Sequence, residues 1–377
     1  MKPVLAAVSF FVAFATMSPA SAQDTQSASA PFVESALQTR LQQLQSEQPD
    51  VPGFAVALLL DGQMFTAATG TASPDGQDML ATTPVRIASI TKTFVAAAIL
   101  RLHEQGSLDI DRPISGLIAQ DHNELLRADG YDTDAITVRH LLMHASGIND
   151  HFGTDDFRQM VLAQPQKVWT RTEQLEVMTT ITEPVGPPGE QFHYSDTGYL
   201  LLGEIIEHST GQSLADAVRE LNRFEDLQLN SMRWEGEPTL HPAPARAHQW
   251  LSGIDTYAID GSVDAFGGGG LIGSVIDISR YFDALARGVI FTEPETLTLM
   301  LEAPMHPADS PYRMGVFTRE IGGAIAYSHG GFWGLDAVNI PERNLSIAGV
   351  ALDQSGTAAL REVMHEIMST ELADTER

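Results

Sequence analysis

The sequence contains no cysteine. That excludes disulfides, a thiol nucleophile, thiolate metal sites and any lipid attached through sulfur. Lysine is almost missing as well: Lys2, Lys92 and Lys167 are the whole set. With 22 basic residues against 49 acidic ones, the formal net charge is −27. Such a surface repels a polyanion, which argues against nucleic acid as a partner. Beyond residue 17 no apolar run approaches the ~20 residues that cross a bilayer, so no integral membrane segment is expected in the mature chain. Internal repeats and low-complexity tracts are absent too. What remains is an ordinary globular composition, 43% hydrophobic over 377 residues. It is long enough for one large domain or two smaller ones.

The amino terminus reads as a processing signal. Lys2 precedes a short apolar run, Val4 to Met17, and Ala20-Ser21-Ala22 before Gln23 is an A-x-A cleavage pattern. Residues 1–22 are therefore expected to be a signal peptide, and the mature chain to be exported, periplasmic or secreted. Export without disulfides fits a bacterial periplasm. Residues 23–34 are small and polar and read as a disordered lead-in.

Val33, Leu37, Leu41 and Leu44 then recur at helical spacing. Phe54 to Leu60 and Met64 to Thr69 flank Asp61-Gly62, a two-residue hairpin signal. A helix is expected from about Ile90 to Glu104, closed by Gly106. Helical stretches follow at 138–144, 172–181, 196–208 and 213–224, with Thr137 and Ser213 at their starts. Strand character returns at 324–328, 335–340 and 346–352, and an apolar periodic segment around Leu360 to Met368 forms a last helix. Strands at both ends and helices between predict an α/β (α+β) fold. Residues 35–108 and 250–377 would form an antiparallel β-sheet flanked by N- and C-terminal helices. Residues 109–249 would be an inserted, mostly helical domain, with the site in the cleft between them.

Three segments carry chemistry. In Ala88-Ser89-Ile90-Thr91-Lys92, residues three apart on a helix are neighbours, so the Lys92 amine can reach the Ser89 hydroxyl. Ser-x-x-Lys alone is a chance-level match, and Ser89 also suits a plain helix cap, where the dipole would lower the pKa of Lys92. Yet Lys92 interrupts an apolar run, Phe94 to Leu100, and a buried lysine needs a partner or a purpose. The second segment is Tyr194-Ser195-Asp196, where a tyrosine before a helix can shuttle a proton; a core tyrosine with Asp196 as a cap is the alternative. The third is His329-Gly330-Gly331-Phe332, whose glycines would let a substrate approach an edge strand, or simply make a turn. His140 and His144 lie four apart but lack the glutamate of H-E-x-x-H, and they read as capping or core residues. No metal site has support, and G-x-S-x-G is absent.

Together these pieces resemble the serine β-lactamase and D-alanyl-D-alanine carboxypeptidase superfamily, in particular its class C β-lactamase-like branch of penicillin-binding and esterase relatives. Ile136 to Ile148, Gly198 to Glu207 and Gly268-Gly269-Gly270-Leu271 resemble further segments of that branch, and the likeness runs over roughly residues 35 to 370. The resemblance implies a Ser89 acyl-enzyme, proton transfer by Lys92 and Tyr194, and an oxyanion hole from the Ser89 and Phe332 N–H groups. It implies no cofactor and a small-molecule or peptide substrate, with Asp196, His329, Gly330, Gly331 and Trp333 in the binding set. Three departures matter. Asp196 stands where asparagine is usual and favours a charged Lys92, so the residues leave open whether Lys92 or Tyr194 is the base. His329 and Gly330 replace a lysine and a threonine that would hold a carboxylate. Phe332 and Trp333 suggest an apolar rim. The expected substrates are D-amino-acid peptides, as in a D-Ala-D-Ala carboxypeptidase, or carboxylic esters; Asp196 and His329 count against β-lactams. A non-catalytic penicillin-recognising sensor is the reading from another class.

Overall fold

The structure is a computed structural model that describes residues 23–236, 244–303 and 310–374, without side chains for 23–32 and 370–374. The expected signal peptide, 1–22, lies outside the described residues. Helix α1 runs Gln23–Glu47, so segment 23–34, read as a disordered lead-in, is helical. The helix that buries Leu37, Leu41 and Leu44 extends backwards through it, with Pro31 inside the run.

Strands β1 (Gly53–Leu60) and β2 (Gln63–Gly70) form the expected hairpin. Asp61 and Gly62 both have positive φ, 49° and 81°, the signature of a type I′ turn. Helix α2 (Thr91–Glu104), helix α3 (Asp196–Thr210) and helix α4 (Val275–Ala286) follow. Then come β3 (Phe317–Ile321), β4 (Ala324–Gly331), β5 (Leu335–Ile340), β6 (Leu345–Ala351) and α5 (Thr357–Asp374). The six strands make one antiparallel sheet in the order β2-β1-β6-β5-β4-β3. The two ends of the chain meet where Phe54 pairs with Ala351 and Leu60 with Leu345.

Both faces of the sheet are covered, which is why β1 reads as an unbroken apolar run. On one face α1 and α5 bury Leu41, Leu44, Val363 and Met364 against Val56 and Ile347. On the other, α2 and α4 bring Phe94, Ile278 and Phe282 against Ala55, Ala57 and Ala348. Between β2 and α4 the regular elements are mainly helices. Thr137 caps as expected, accepting from His140 N–H; Ser213 accepts from Asp216 N–H, and Gly211 closes α3 in the left-handed region. Among the described residues no helix is long and apolar enough to cross a membrane.

One expectation changes here. β4 is an interior strand, not an edge, because β3 pairs outside it. Its partner ends early, however: the β3 ladder stops at Ser328, so His329 to Gly331 run on past it.

Candidate active site

Ser89 sits in a single 3₁₀ turn, Ala88–Ile90, that leads into α2. Ala88 before it has φ +48°, a left-handed conformation that costs a side-chain-bearing residue about 1–2 kcal/mol. Ser89 does not cap the helix, since neither the turn nor α2 has a side-chain cap bond. Its hydroxyl faces Lys92 instead, 3.2 Å from Nζ.

Lys92 is fully buried. Its Nζ donates to Ser89 Oγ, to the Gly268 carbonyl at 2.7 Å and to the Asp196 carboxylate. An ammonium has three donors, and all three are engaged. Burial alone would lower the Lys92 pKa, but the charges of Asp196, Tyr194 and Asp264 outweigh it and hold the amine above its ordinary value. The expected lowering by the helix dipole is overturned: a contact carboxylate in a buried site outweighs a partial charge at a helix end.

Tyr194 is placed by His144. The backbone of His144 accepts from His193 N–H at 2.8 Å, its Nδ1 accepts from Ser195 N–H at 3.1 Å, and its ring lies 4.2 Å from the Tyr194 ring. Ser195 then caps α3 by accepting from Gly198 N–H. The Tyr194 ring centroid is 5.0 Å from Lys92 Nζ. Burial pushes the phenol up to about 12; the Lys92 charge pulls it down and Asp196 pushes it up again. His140, by contrast, closes a capping box with Thr137.

On β4, His329 is buried, and desolvation with the nearby Lys92 charge brings its pKa down to about 3. It is neutral, not a stand-in for a lysine cation. Its Nδ1 lies 2.8 Å from the Gly330 carbonyl; a carbonyl only accepts, so Nδ1 carries the proton and Nε2 is a bare acceptor. The two glycines serve the protein's own packing. A Cβ on Gly331 would stand 2.5 Å from the Ile87 carbonyl, and one on Gly330 would stand 2.7 Å from a guanidinium nitrogen of Arg361. Gly331 thus lets β4 press against the segment that carries Ser89.

A cavity of about 810 Å³ opens at this junction, lined by Ser89, Tyr194, Asp196 and His329 to Phe332. Among the described residues neither the Ser89 nor the Phe332 N–H is taken by another hydrogen bond. Trp333 is not part of this wall. It is buried beneath Phe332, its ring edge-to-face with the Phe332 ring at 4.8 Å, and packs with Arg86 at 6.0 Å. Among the described residues no group of three or more histidine or acidic side chains is placed to hold a metal ion.

A family model described as Beta-lactamase matches residues 37–365. The chain belongs to the beta-lactamase family. Among curated proteins, this family member is 28% identical over 229 residues to penicillin-binding protein 4 of Amycolatopsis lactamdurans, covering 60% of this chain and 55% of that protein. It is 28% identical to the esterase EstB of Burkholderia gladioli over 267 residues, 62% and 65% of the two chains. The chain thus spans little more than half the length of the first of these relatives. Among solved structures, the D-stereospecific amidohydrolase from a Streptomyces species superposes with a TM-score of 0.72 at 25% identity, covering 83% and 93%. The D-amino acid amidase of Ochrobactrum anthropi SV3 shares the fold, with a TM-score of 0.74 at 22% identity, covering 92% and 99%.

The cavity of this beta-lactamase family member also has wall residues that sequence reasoning missed. Asp150 and Asp264 line the cavity. Burial and then the Asp196 charge raise each of their carboxyls to about 7. The Gly268 carbonyl that holds Lys92 lies in a segment singled out by family likeness alone, without a role. No local pattern marks any of the three.

Proposed function

We propose that this chain is a serine hydrolase that cleaves an amide or ester bond through an acyl-enzyme on Ser89. The carrying observation is Ser89 Oγ 3.2 Å from a fully engaged Lys92 ammonium, at a cavity lined by Ser89 and Phe332, whose N–H groups have no partner among the described residues. In this reading Tyr194 is the base, because Lys92 has no lone pair to offer. Tyr194 acts in its minor phenolate form, its own proton given up to solvent and the anion favoured by the Lys92 charge; that phenolate takes the Ser89 proton as Oγ bonds to the carbonyl carbon. The same proton passes to the leaving nitrogen or oxygen as its bond to carbon breaks. The Ser89 and Phe332 N–H groups receive the oxyanion. Water then attacks the acyl-enzyme by the reverse sequence.

The favoured substrate is a D-amino-acid peptide, as in a D-Ala-D-Ala carboxypeptidase. The likeness to a penicillin-binding protein and to a D-stereospecific amidohydrolase supports it, as does the expectation of export from residues 1–22. The esterase relative and Phe332 at the cavity wall favour carboxylic esters as a second reading. Neutral His329 speaks against recognition of a substrate carboxylate at that position.

The mass of the intact protein after a fluorophosphonate probe tests the nucleophile. One adduct is expected, lost in Ser89→Ala; an adduct that survives the substitution, or none in the wild type, overturns the assignment and leaves a non-catalytic binding protein. Rates on a D-Ala-D-Ala peptide, a p-nitrophenyl ester and a chromogenic cephalosporin then rank the substrates.

A further inference from the structure

A second, smaller recess of about 30 Å³ lies beside the catalytic cavity. Phe152, Arg158 and Phe332 line both spaces, so the two adjoin. The recess is cut between the helix Asp155–Ala163, which contributes Phe157, Val161 and Leu162, and the facing residues Ile259 and Val263. Arg158 is the one charged residue on its wall, and its guanidinium turns to Asp155. A space that offers water no polar partners stays dry and favours apolar atoms. At its boundary the Phe152 and Phe332 rings stand edge to face, their centroids 5.9 Å apart.

Where the recess meets the surface its side chains are apolar too. Leu162 is 41% exposed, and Ile254, 52% exposed, pairs across a short hairpin with Leu251 on the recess wall. Size decides among apolar occupants. A water-sized group takes ~10–15 Å³, so the recess admits about two or three methylenes in line, and a phenyl ring is too wide. Ring packing tells which end of a substrate lies here. Tyr194, which hands its proton to the leaving group, packs against His144, Tyr312 and His329. Phe332 packs against Phe152 and Trp333. A carbonyl held by the Ser89 and Phe332 N–H groups, with its leaving group at Tyr194, thus sends its acyl chain toward Phe152 and the recess.

We infer that this recess is a binding site for the end of an unbranched aliphatic acyl chain. The substrate it fits is a fatty-acyl ester, not an aromatic amino-acid amide. Each methylene that enters exchanges water for apolar contact, worth about fourfold. The inference rests on the Ser89 acyl-enzyme and sharpens its ester alternative.

Hydrolysis of p-nitrophenyl butyrate, hexanoate and octanoate tests the site. From butyrate to the better of the longer esters, kcat/KM is expected to rise at least about tenfold, since two methylenes contribute about fourfold each. The 4-phenylbutyrate ester should gain less. Leu162→Trp fills the recess from an exposed position and Val161→Phe from the core side; each should bring the ratio of the longer ester to butyrate toward one. Leu162→Ala should keep that ratio or move the optimum to a longer chain. The ratio is taken within each protein, so a general loss of activity cancels. A wild-type ratio near one, a phenyl ester that gains as much as the straight chains, or an unchanged ratio in both filled variants overturns the chain site. So does a protein that fluorophosphonate labels at Ser89 but that releases no p-nitrophenol from any of the esters. Release that survives Ser89→Ala overturns the Ser89 reading instead.

Discussion

Replacing Asp264 by asparagine is expected to stabilise the protein, and more at pH 8 than at pH 5. In the folded chain its carboxyl is raised from 3.8 to about 7, by burial and then by the charge of Asp196. An acid whose folded pKa is raised gives up its proton more easily when unfolded. Stability is therefore lost as pH rises from the unfolded value toward the folded one, and the penalty is complete above about 7. Three units at about 1.36 kcal/mol each amount to about 4 kcal/mol at pH 8; at pH 5 less than half of it has accrued. Cavity water trims both figures, leaving a difference of about 2 kcal/mol between the two pH values. With an unfolding entropy of about 2.1 cal/mol/K per residue, the 339 described residues give about 0.7 kcal/mol per degree. The extra gain in Tm at pH 8 is then about 3 °C. Thermal melts of both proteins at both pH values measure it, and the double difference removes every other titrating group. An equal gain at the two pH values, or a larger one at pH 5, refutes the reasoning.

Asp196→Asn removes the charge that raises both Lys92 and Tyr194. The ascending alkaline limb of kcat/KM is expected to move about one pH unit or more to lower pH, whichever group takes the proton; a superimposable profile separates Asp196 from the proton path. Gly331→Ala puts a methyl 2.5 Å from the Ile87 carbonyl, a backbone atom, and is expected to cost about 1–3 kcal/mol in denaturant melts and to lower kcat/KM. Gly330→Ala meets only the movable end of Arg361 and should cost less than about 1 kcal/mol; equal effects at the two positions would contradict this account.

Much of the molecule obeys rules that act within a few residues, and those parts were legible in the chain itself. Asp61-Gly62 takes the positive φ angles that close the hairpin, Gly211 does the same at the end of α3, and Thr137 and Ser213 supply oxygens to exposed N–H groups. The spacing of three between Ser89 and Lys92 likewise suffices to bring them to 3.2 Å, because one helical turn does it. Where local rules left a choice, the choice was made elsewhere. Ser89 suits a cap, yet its hydroxyl turns to Lys92. Trp333 reads as a rim residue beside Phe332, yet it is buried against the Phe332 ring and only Phe332 reaches the cavity wall. Small polar residues at 23–34 read as disordered, yet they continue a helix anchored further along.

The sequence by itself determined most of the elements, the antiparallel sheet assembled from both ends of the chain, and the Ser89–Lys92 pair. Only the tertiary structure decided the state of that pair. Asp196, Asp264 and the Gly268 carbonyl lie more than a hundred residues from Lys92 in the chain, and folding alone brings them to one buried amine. Charge interactions depend on distance and on the exclusion of water, and neither is written in sequence spacing. Lys92 is a fixed cation and Asp264 an acid raised toward 7 for that reason.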